Sequence, residues 1–218
     1  MDQSTDVLIV GGGIVGAASA YHLAKRGVDV ILLEQDRLAS GATGRNLGYI
    51  WVHTRRVGPE LDLVMPTRNE LEGLPDELDA DFGLRTNGGL IYYNTEAQGE
   101  VMREFVATRI ADGVPMELLD GNQARELAPI LPDTVLGGSF CPLDAQVDPT
   151  RYVRAFAAAA QRAGARVVEG ASARTFETTD GRITRVHTDI GPITAGNIVL
   201  AGGAWSPSFA AQLGLDLA

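Results

Sequence analysis

Gly11, Gly13 and Gly16 stand between two apolar runs, in the stretch VLIVGGGIVGAASAYHLAKRGVDVILLE over residues 7–34. This G-x-G-x-x-G spacing constrains the fold more than any other feature of the chain. Val7–Val10 reads as a short buried parallel strand, a helix opens on the glycines, and Val30–Leu33 reads as the next strand. Each glycine has its own reason to be there. The first allows the tight turn, the second lets the backbone approach a pyrophosphate, and the third lets helix and strand pack closely. Amides at the helix start point at phosphate oxygens, and the helix dipole favours their negative charge. Glu34 ends the second strand roughly 20 residues beyond the glycines, where a carboxylate accepts hydrogen bonds from adenosine ribose hydroxyls. The same acid repels a 2′-phosphate, which disfavours NADP.

The uncharged stretch Val7–Ala24 also invites reading as a membrane span or a signal segment. Its clustered glycines, the acids Asp2 and Asp6 ahead of it in place of basic residues, and His22 near its end argue against both. A net charge of −10 and a pI near 4.7, with no basic stripe, exclude nucleic acid as a main partner. Cys141 is the only cysteine, so no internal disulfide is possible, and a reducing, cytoplasmic compartment is expected. Nothing near Cys141 in sequence marks a reactive thiol. His22, His53 and His187 are scattered without ligand spacing and give no support to a metal site.

After Glu34 the chain enters a small-residue segment, Ser40-Gly41-Ala42-Thr43-Gly44-Arg45-Asn46. By composition alone it reads as a flexible loop. Its position directly after the ribose acid favours a segment that hugs an extended cofactor with amides, hydroxyls and one guanidinium. Asp148-Pro149 reads as N-cap and first residue of a helix that runs to about Ala163 and stops at Gly164. Arg166–Glu169 is expected as a strand. Residues 172–188 are expected as a hairpin around an Asp180-Gly181 turn, with Gly191-Pro192 turning the chain again. Asn197–Ala201 is the last predicted strand, ending on Gly202-Gly203-Ala204-Trp205.

In the middle, Asn87–Tyr93 reads as a strand. Thr95–Asp112 reads as an amphipathic helix with Val101, Phe105, Val106 and Ile110 inward, and Gly121–Leu127 as a short second helix. Tyr92 and Tyr93 alternate faces of their strand, so at most one of them faces a ligand, and core packing is the expected role of that one.

The fingerprint, the SGATGRN segment, QVDPTRYVRAF and IVLAGGAWSP together resemble the D-amino-acid-oxidase-like FAD-dependent oxidoreductases, of the glycine/sarcosine oxidase and D-amino-acid dehydrogenase type. These motifs span almost the whole chain in the expected order. The resemblance implies an α/β fold in which a Rossmann-like FAD-binding βαβ domain accompanies an incomplete α+β substrate domain. Residues 1–57 and 148–218 would form the first and second segments of the FAD-binding domain, and residues 58–147 part of the substrate domain. It implies FAD as cofactor, with Gly11, Gly13, Ile14, Val15, Gly16, Glu34 and Gln35 at its ADP half. Ser40, Thr43, Gly44, Arg45 and Asn46 would lie along pyrophosphate and flavin. The backbone of Ala173 would touch the adenine, and Ala201, Gly202, Gly203 and Trp205 would pass near the cofactor.

The reaction implied is oxidation of a C–N bond in an amino acid or secondary amine, which needs no nucleophilic triad. A group to hold a substrate carboxylate is needed, and Arg55, Arg56 and Arg85 are the candidates. No catalytic residue is assigned. The family's C-terminal half completes the substrate sheet, so the chain is expected to be a truncated or separately encoded N-terminal portion, partnered by the missing half or a subunit. Three readings stay open on the residues: a flavin amine oxidoreductase, an NAD-dependent dehydrogenase with the same fingerprint, and a nucleotide-binding subunit without turnover.

Overall fold

A computed structural model describes residues 3–217. In chain order its strands are β1 (Gln3–Val10), β2 (Val30–Glu34), β3 (Tyr49–Ile50), β4 (Gly89–Tyr93), β5 (Glu117–Asp120), β6 (Gly137–Cys141), β7 (Ala145–Gln146), β8 (Arg166–Glu169), β9 (Ala173–Thr179), β10 (Arg182–Thr188) and β11 (Gly191–Leu200). Its helices are α1 (Ile14–Ala24), α2 (Pro59–Glu70), α3 (Leu74–Glu77), α4 (Glu96–Ala111), α5 (Gly121–Leu127), α6 (Pro149–Arg162) and α7 (Ser206–Gln212). Two compact units emerge. The first comprises residues 1–48, 75–83 and 148–218, the second residues 49–74 and 84–147.

The first unit is built on a six-stranded sheet in the order β8-β2-β1-β11-β10-β9. Strands β8, β2, β1 and β11 run parallel, and β10 and β9 continue antiparallel. Leu8, Ile9, Ile31 and Leu32 are fully buried because both faces of the parallel part are covered, hence their unbroken apolar runs. On one face, Gly16, Ala17, Ala20 and Ala24 let α1 approach closely, and Leu32 lies against Gly16. Helix α6 packs on α1, with the Tyr21 and Phe156 rings 5.8 Å apart. On the other face Leu8, Val10, Ile31 and Leu33 join Ala171, Val186, Ile193 and Ala195 in one core.

Local chemistry explains the predicted elements that form. Asp148 caps α6 by accepting from the Thr150 and Arg151 amides at 3.0 and 2.9 Å, and Gly164 leaves the helix at φ 102°. Asp180 and Gly181 both sit at positive φ (53° and 75°), the two-residue turn that matches strand twist. The last strand is longer than predicted. It starts at Gly191, and Pro192 lies inside it, paired with His187, instead of turning the chain. Its length is set by β1, which it follows in register from Gln3–Ile193 to Val10–Leu200.

The sequence-based domain limits need two corrections. Residues 49–57 belong to the second unit, because Tyr49 and Ile50 pair with Gln146 and Ala145. Residues 75–83 belong to the first, tied there by Glu77 accepting from Tyr21 Oη at 2.7 Å and by the Phe82 ring on Tyr152 at 4.8 Å.

The second unit carries the antiparallel sheet β4-β6-β5, the pair β3-β7, and helices α2, α4 and α5. Its core gathers Val52, Leu61, Val106, Val114, Met116 and Cys141. Helix α4 forms where predicted, with Phe105 and Val106 toward the core as expected, but the rest of its inward face differs. Val101 and Ile110 are exposed, while Gly99, Val106 and Arg109 are buried. Gly99 is set against the Tyr93 ring and Arg109 is held by polar contacts, so packing and hydrogen bonding outweigh hydrophobic periodicity here. Tyr93 is buried and Tyr92 half exposed, each on its own face of β4.

Candidate cofactor site

Val10 pairs with Leu33 on one side and with Leu200 on the other. The loops that follow β1, β2 and β11 therefore leave the sheet side by side at its carboxyl edge, where open α/β sheets take their ligands. Gly11 donates to Leu33 O at 2.8 Å and has φ 116°. A Cβ there would run into the carbonyl of Ala201, and a Cβ on Gly16 would run into the carbonyl of Gly11. These two glycines hold the turn closed. Gly13 differs: a Cβ would meet only Thr43 Oγ1, at 3.2 Å. Gly13 is the N-cap of α1 and offers no side-chain cap, so a helix start of the kind that binds phosphate carries no capping side chain here. Ile14 N reaches Thr43 Oγ1 at 3.3 Å, and Val15 is exposed beside it.

Glu34 is buried, and its carboxylate accepts from Gly12 N at 2.7 Å, Asp36 N at 2.9 Å and Ser40 Oγ at 3.4 Å. The acid thus anchors both loops at the carboxyl edge as well as presenting charge there. Gln35 is exposed at the strand end. Ser40 follows Ala39, which is held at φ 66°, and Thr43–Arg45 form a single 3₁₀ turn. Gly44 lies against the Ala39 carbonyl. The side chains of Arg45 and Asn46 fold back onto this turn: Arg45 donates to Gly41 O at 3.0 Å and Asn46 to Ala42 O at 3.3 Å, while Asn46 Oδ1 accepts from Gly48 N at 2.6 Å.

Ala201 continues the β1 pairing by donating to Val10 O at 2.8 Å. Gly202 and Gly203 then lead into a 3₁₀ turn whose half-exposed Trp205 ring lies 3.7 Å from where a Cβ on Gly41 would be. Ala173 is buried in the core cluster with Val10 and Leu33. So one edge of the sheet brings together the glycine turn, Glu34, the 40–46 segment and the 201–205 segment, with Ala173 in the core just beneath. Arg55, Arg56 and Arg85 lie elsewhere, exposed in the second unit, where Arg55 donates to Trp51 O at 3.0 Å and Arg85 bridges to Gln146.

The whole of residues 6–218 matches the model of the DAO family, described as FAD dependent oxidoreductase. The chain belongs to this family of FAD-dependent oxidoreductases. It is 28% identical to mitochondrial sarcosine dehydrogenase of Mus musculus, over 100% of this chain and 24% of that protein. It is 30% identical to glycine oxidase of Bacillus licheniformis, over 99% of this chain and 58% of that protein. The crystal structure of glycine oxidase from Geobacillus kaustophilus superposes with a TM-score of 0.92 at 29% identity, over 99% of this chain and 60% of that one. This DAO-family chain thus spans between a quarter and three-fifths of these relatives. The match also decides between nicotinamide and flavin in favour of FAD. Among the described residues no helix is long and apolar enough to cross a membrane.

A polar network in the second unit went unseen in the sequence. His53 is fully buried, with Nε2 2.7 Å from Ser139 Oγ and Nδ1 3.2 Å from Asp144 Oδ2. Asp144 Oδ1 accepts from the amides of Val52 and His53 at 2.6 and 3.0 Å. Buried Arg109 donates to the carbonyls of His53 and Val52 at 3.2 and 3.3 Å. Cys141, also fully buried, has its thiol pKa pushed up by burial first and by the Asp144 charge second. The folded protein is therefore expected to label with a disulfide reagent at pH 8 more than ~100-fold slower than free cysteine. Stopped-flow thiol titration, native against denatured, checks this.

Proposed function

We propose that this chain holds FAD at the carboxyl edge of its six-stranded sheet and serves the oxidation of a C–N bond in an amino acid or secondary amine. The observation that carries the reading is the open space at Gly13 before the first turn of α1, with the Glu34 carboxylate held on the neighbouring Gly12 amide. FAD, when bound, supplies the two-electron acceptor chemistry that turns an amine into an imine. The chain's own residues bind and orient. Gly13, Ile14 and Val15 offer amides to the pyrophosphate, Gly11 and Gly16 keep that turn in shape, and Glu34, beside Gln35, accepts from the ribose. Ser40, Thr43, Gly44, Arg45 and Asn46 form the wall along pyrophosphate and flavin. Ala201, Gly202, Gly203 and Trp205 form the opposite wall, and Ala173 lies under the adenine. The 28–30% identity to proteins named sarcosine dehydrogenase and glycine oxidase supports an amino acid or N-methyl amino acid as substrate. The single cysteine supports a reducing, cytoplasmic setting.

The test is direct. Purified protein, once denatured, is expected to release FAD, and amine turnover with an artificial electron acceptor is expected with glycine, sarcosine or a D-amino acid once the rest of the substrate domain is supplied. A chain that binds no flavin when supplied with FAD overturns the reading. Glu34→Ala removes a charge-assisted hydrogen bond of about 1.5–3 kcal/mol, so FAD affinity should fall roughly ten- to a hundredfold. Because Glu34 also anchors Gly12 and Asp36, the mutant should show faster amide exchange in both loops. Equilibrium flavin titration and hydrogen exchange measure the two effects separately.

A further inference from the structure

Four strands stand at the edges of the two larger sheets: β8 and β9 in the six-stranded sheet, β4 and β5 in the three-stranded one. An edge strand offers unpaired N–H and C=O groups to any other chain, and charged side chains are the usual guard. Three of the four carry such a guard. Strand β8 has Arg166 and Glu169, β9 has Arg174 and Glu177, and β5 has Glu117 and Asp120. Strand β4 reads Gly89-Leu90-Ile91-Tyr92-Tyr93, with no charge and no proline. It pairs with β6 on one side only. Its isoleucine and tyrosines favour a strand, so nothing in this segment resists further pairing.

Alongside β4 lies an open apolar hollow of about 580 Å³. Ile91, Tyr92 and Tyr93 line it from the strand, and Val101, Met102 and Phe105 from α4. None of its lining residues is charged. Tyr92 is 50% exposed and Val101 69%, so both keep much of their apolar surface in water. An antiparallel strand pair is symmetric about an axis normal to the sheet, which makes such an edge complementary to its own copy. That axis sets like face beside like face. On one face the two Tyr92 rings meet as a cross-strand aromatic pair. On the other, the two hollows and their Val101 side chains close on each other. The charge pattern selects the same occupant. Each copy carries a net charge of −10, and on this uncharged face two copies meet without setting like charges against each other.

We propose that the free edge of β4 is an interaction surface for a second copy of this chain, paired antiparallel about a two-fold axis so that one sheet runs across the dimer. The association needs neither cofactor nor substrate, so it goes beyond the reading above and is tested apart from it.

Sedimentation equilibrium of the purified protein over rising concentration is the test. A reversible monomer–dimer equilibrium is expected, tightening as sodium chloride screens the charge on each copy. Tyr92→Lys places a guard on the edge and should weaken dimerisation about ten- to a hundredfold. Val101→Glu should weaken it similarly from α4. Both side chains are exposed, so both variants keep the fold, which circular dichroism checks. Thr178→Lys, an exposed position on β9, should leave the dimer unchanged. Hydrogen exchange locates the contact without any variant: β4 amides that face away from β6 should slow as the dimer forms, while those of β5, β8 and β9 should not. A protein that stays monomeric at every concentration, or that grows beyond a dimer, overturns the proposal. So does a dimer that Tyr92→Lys leaves intact, or one that forms without slowing exchange in β4. A monomer that pairs β4 with a strand of a different polypeptide overturns it too, since the edge then serves another occupant.

Discussion

Gly13→Val is expected to fold and to lose FAD. The backbone at Gly13 has φ −80° and ψ −175°, extended values that any residue adopts, and the first atom a Cβ meets is the Thr43 hydroxyl at 3.2 Å. That hydroxyl sits on a short side chain able to shift by a few tenths of an ångström. The valine methyls then occupy the space in front of the first-turn amides of α1, so the pyrophosphate is displaced from its donors. FAD affinity should drop by at least ~100-fold, a loss of about 2.7 kcal/mol. The melting temperature of the cofactor-free protein should move by only a few degrees. Gly11→Val and Gly16→Val are the contrasting pair: each drives its Cβ into a backbone carbonyl, so neither should give folded protein. Flavin retention on purification, together with thermal melts of the three variants, separates a glycine required by the ligand from glycines required by the turn. A folded Gly13→Val protein with normal FAD affinity would remove the pyrophosphate from this turn.

The nucleotide-binding turn, the Asp148 cap and the Asp180-Gly181 hairpin were legible because each is a local arrangement, written in residues adjacent in sequence. Glycine spacing, an acid before a proline, and an Asp-Gly pair between alternating runs each specify a backbone shape directly. The inward face of α4 was only half legible, for the opposite reason. Phe105 and Val106 do face the core, but Val101 and Ile110, which fit the same apolar stripe, are exposed, and the other buried positions are Gly99, chosen by the Tyr93 ring, and Arg109, chosen by two carbonyls on another segment. The placement of residues 75–83 in the first unit depends on Glu77 meeting Tyr21, 56 residues earlier. In the second unit, Ser139 and Asp144 lie 86 and 91 residues from His53, and no spacing rule links them.

Asp144→Ala should be the most destabilising single change in the second unit, and Asp144→Asn much milder. In the native arrangement one carboxylate satisfies the amides of Val52 and His53 and the imidazole Nδ1–H, all in a region where His53 and Ser139 are fully buried. Alanine strands the two buried amides even if the imidazole moves its proton to Nε2, and removing one partner from such a cluster costs about 3–5 kcal/mol. Asparagine keeps an oxygen for the two amides and turns its NH₂ toward Nδ1. The imidazole can adapt by carrying its proton on Nε2 instead, donating to Ser139 Oγ and accepting at Nδ1 from the new amide. Only the second asparagine N–H is then left over, and the cost should be about 1–2 kcal/mol. Denaturant unfolding followed by Trp51 fluorescence in the Trp205→Phe background gives the two stabilities. The ¹⁵N shifts of His53 report the tautomer: Nδ1–H in the parent protein and Nε2–H in Asp144→Asn. Equal destabilisation by alanine and asparagine, or an unchanged tautomer in the asparagine variant, would mean that Asp144 acts through its charge on the wider unit and not by satisfying these three donors.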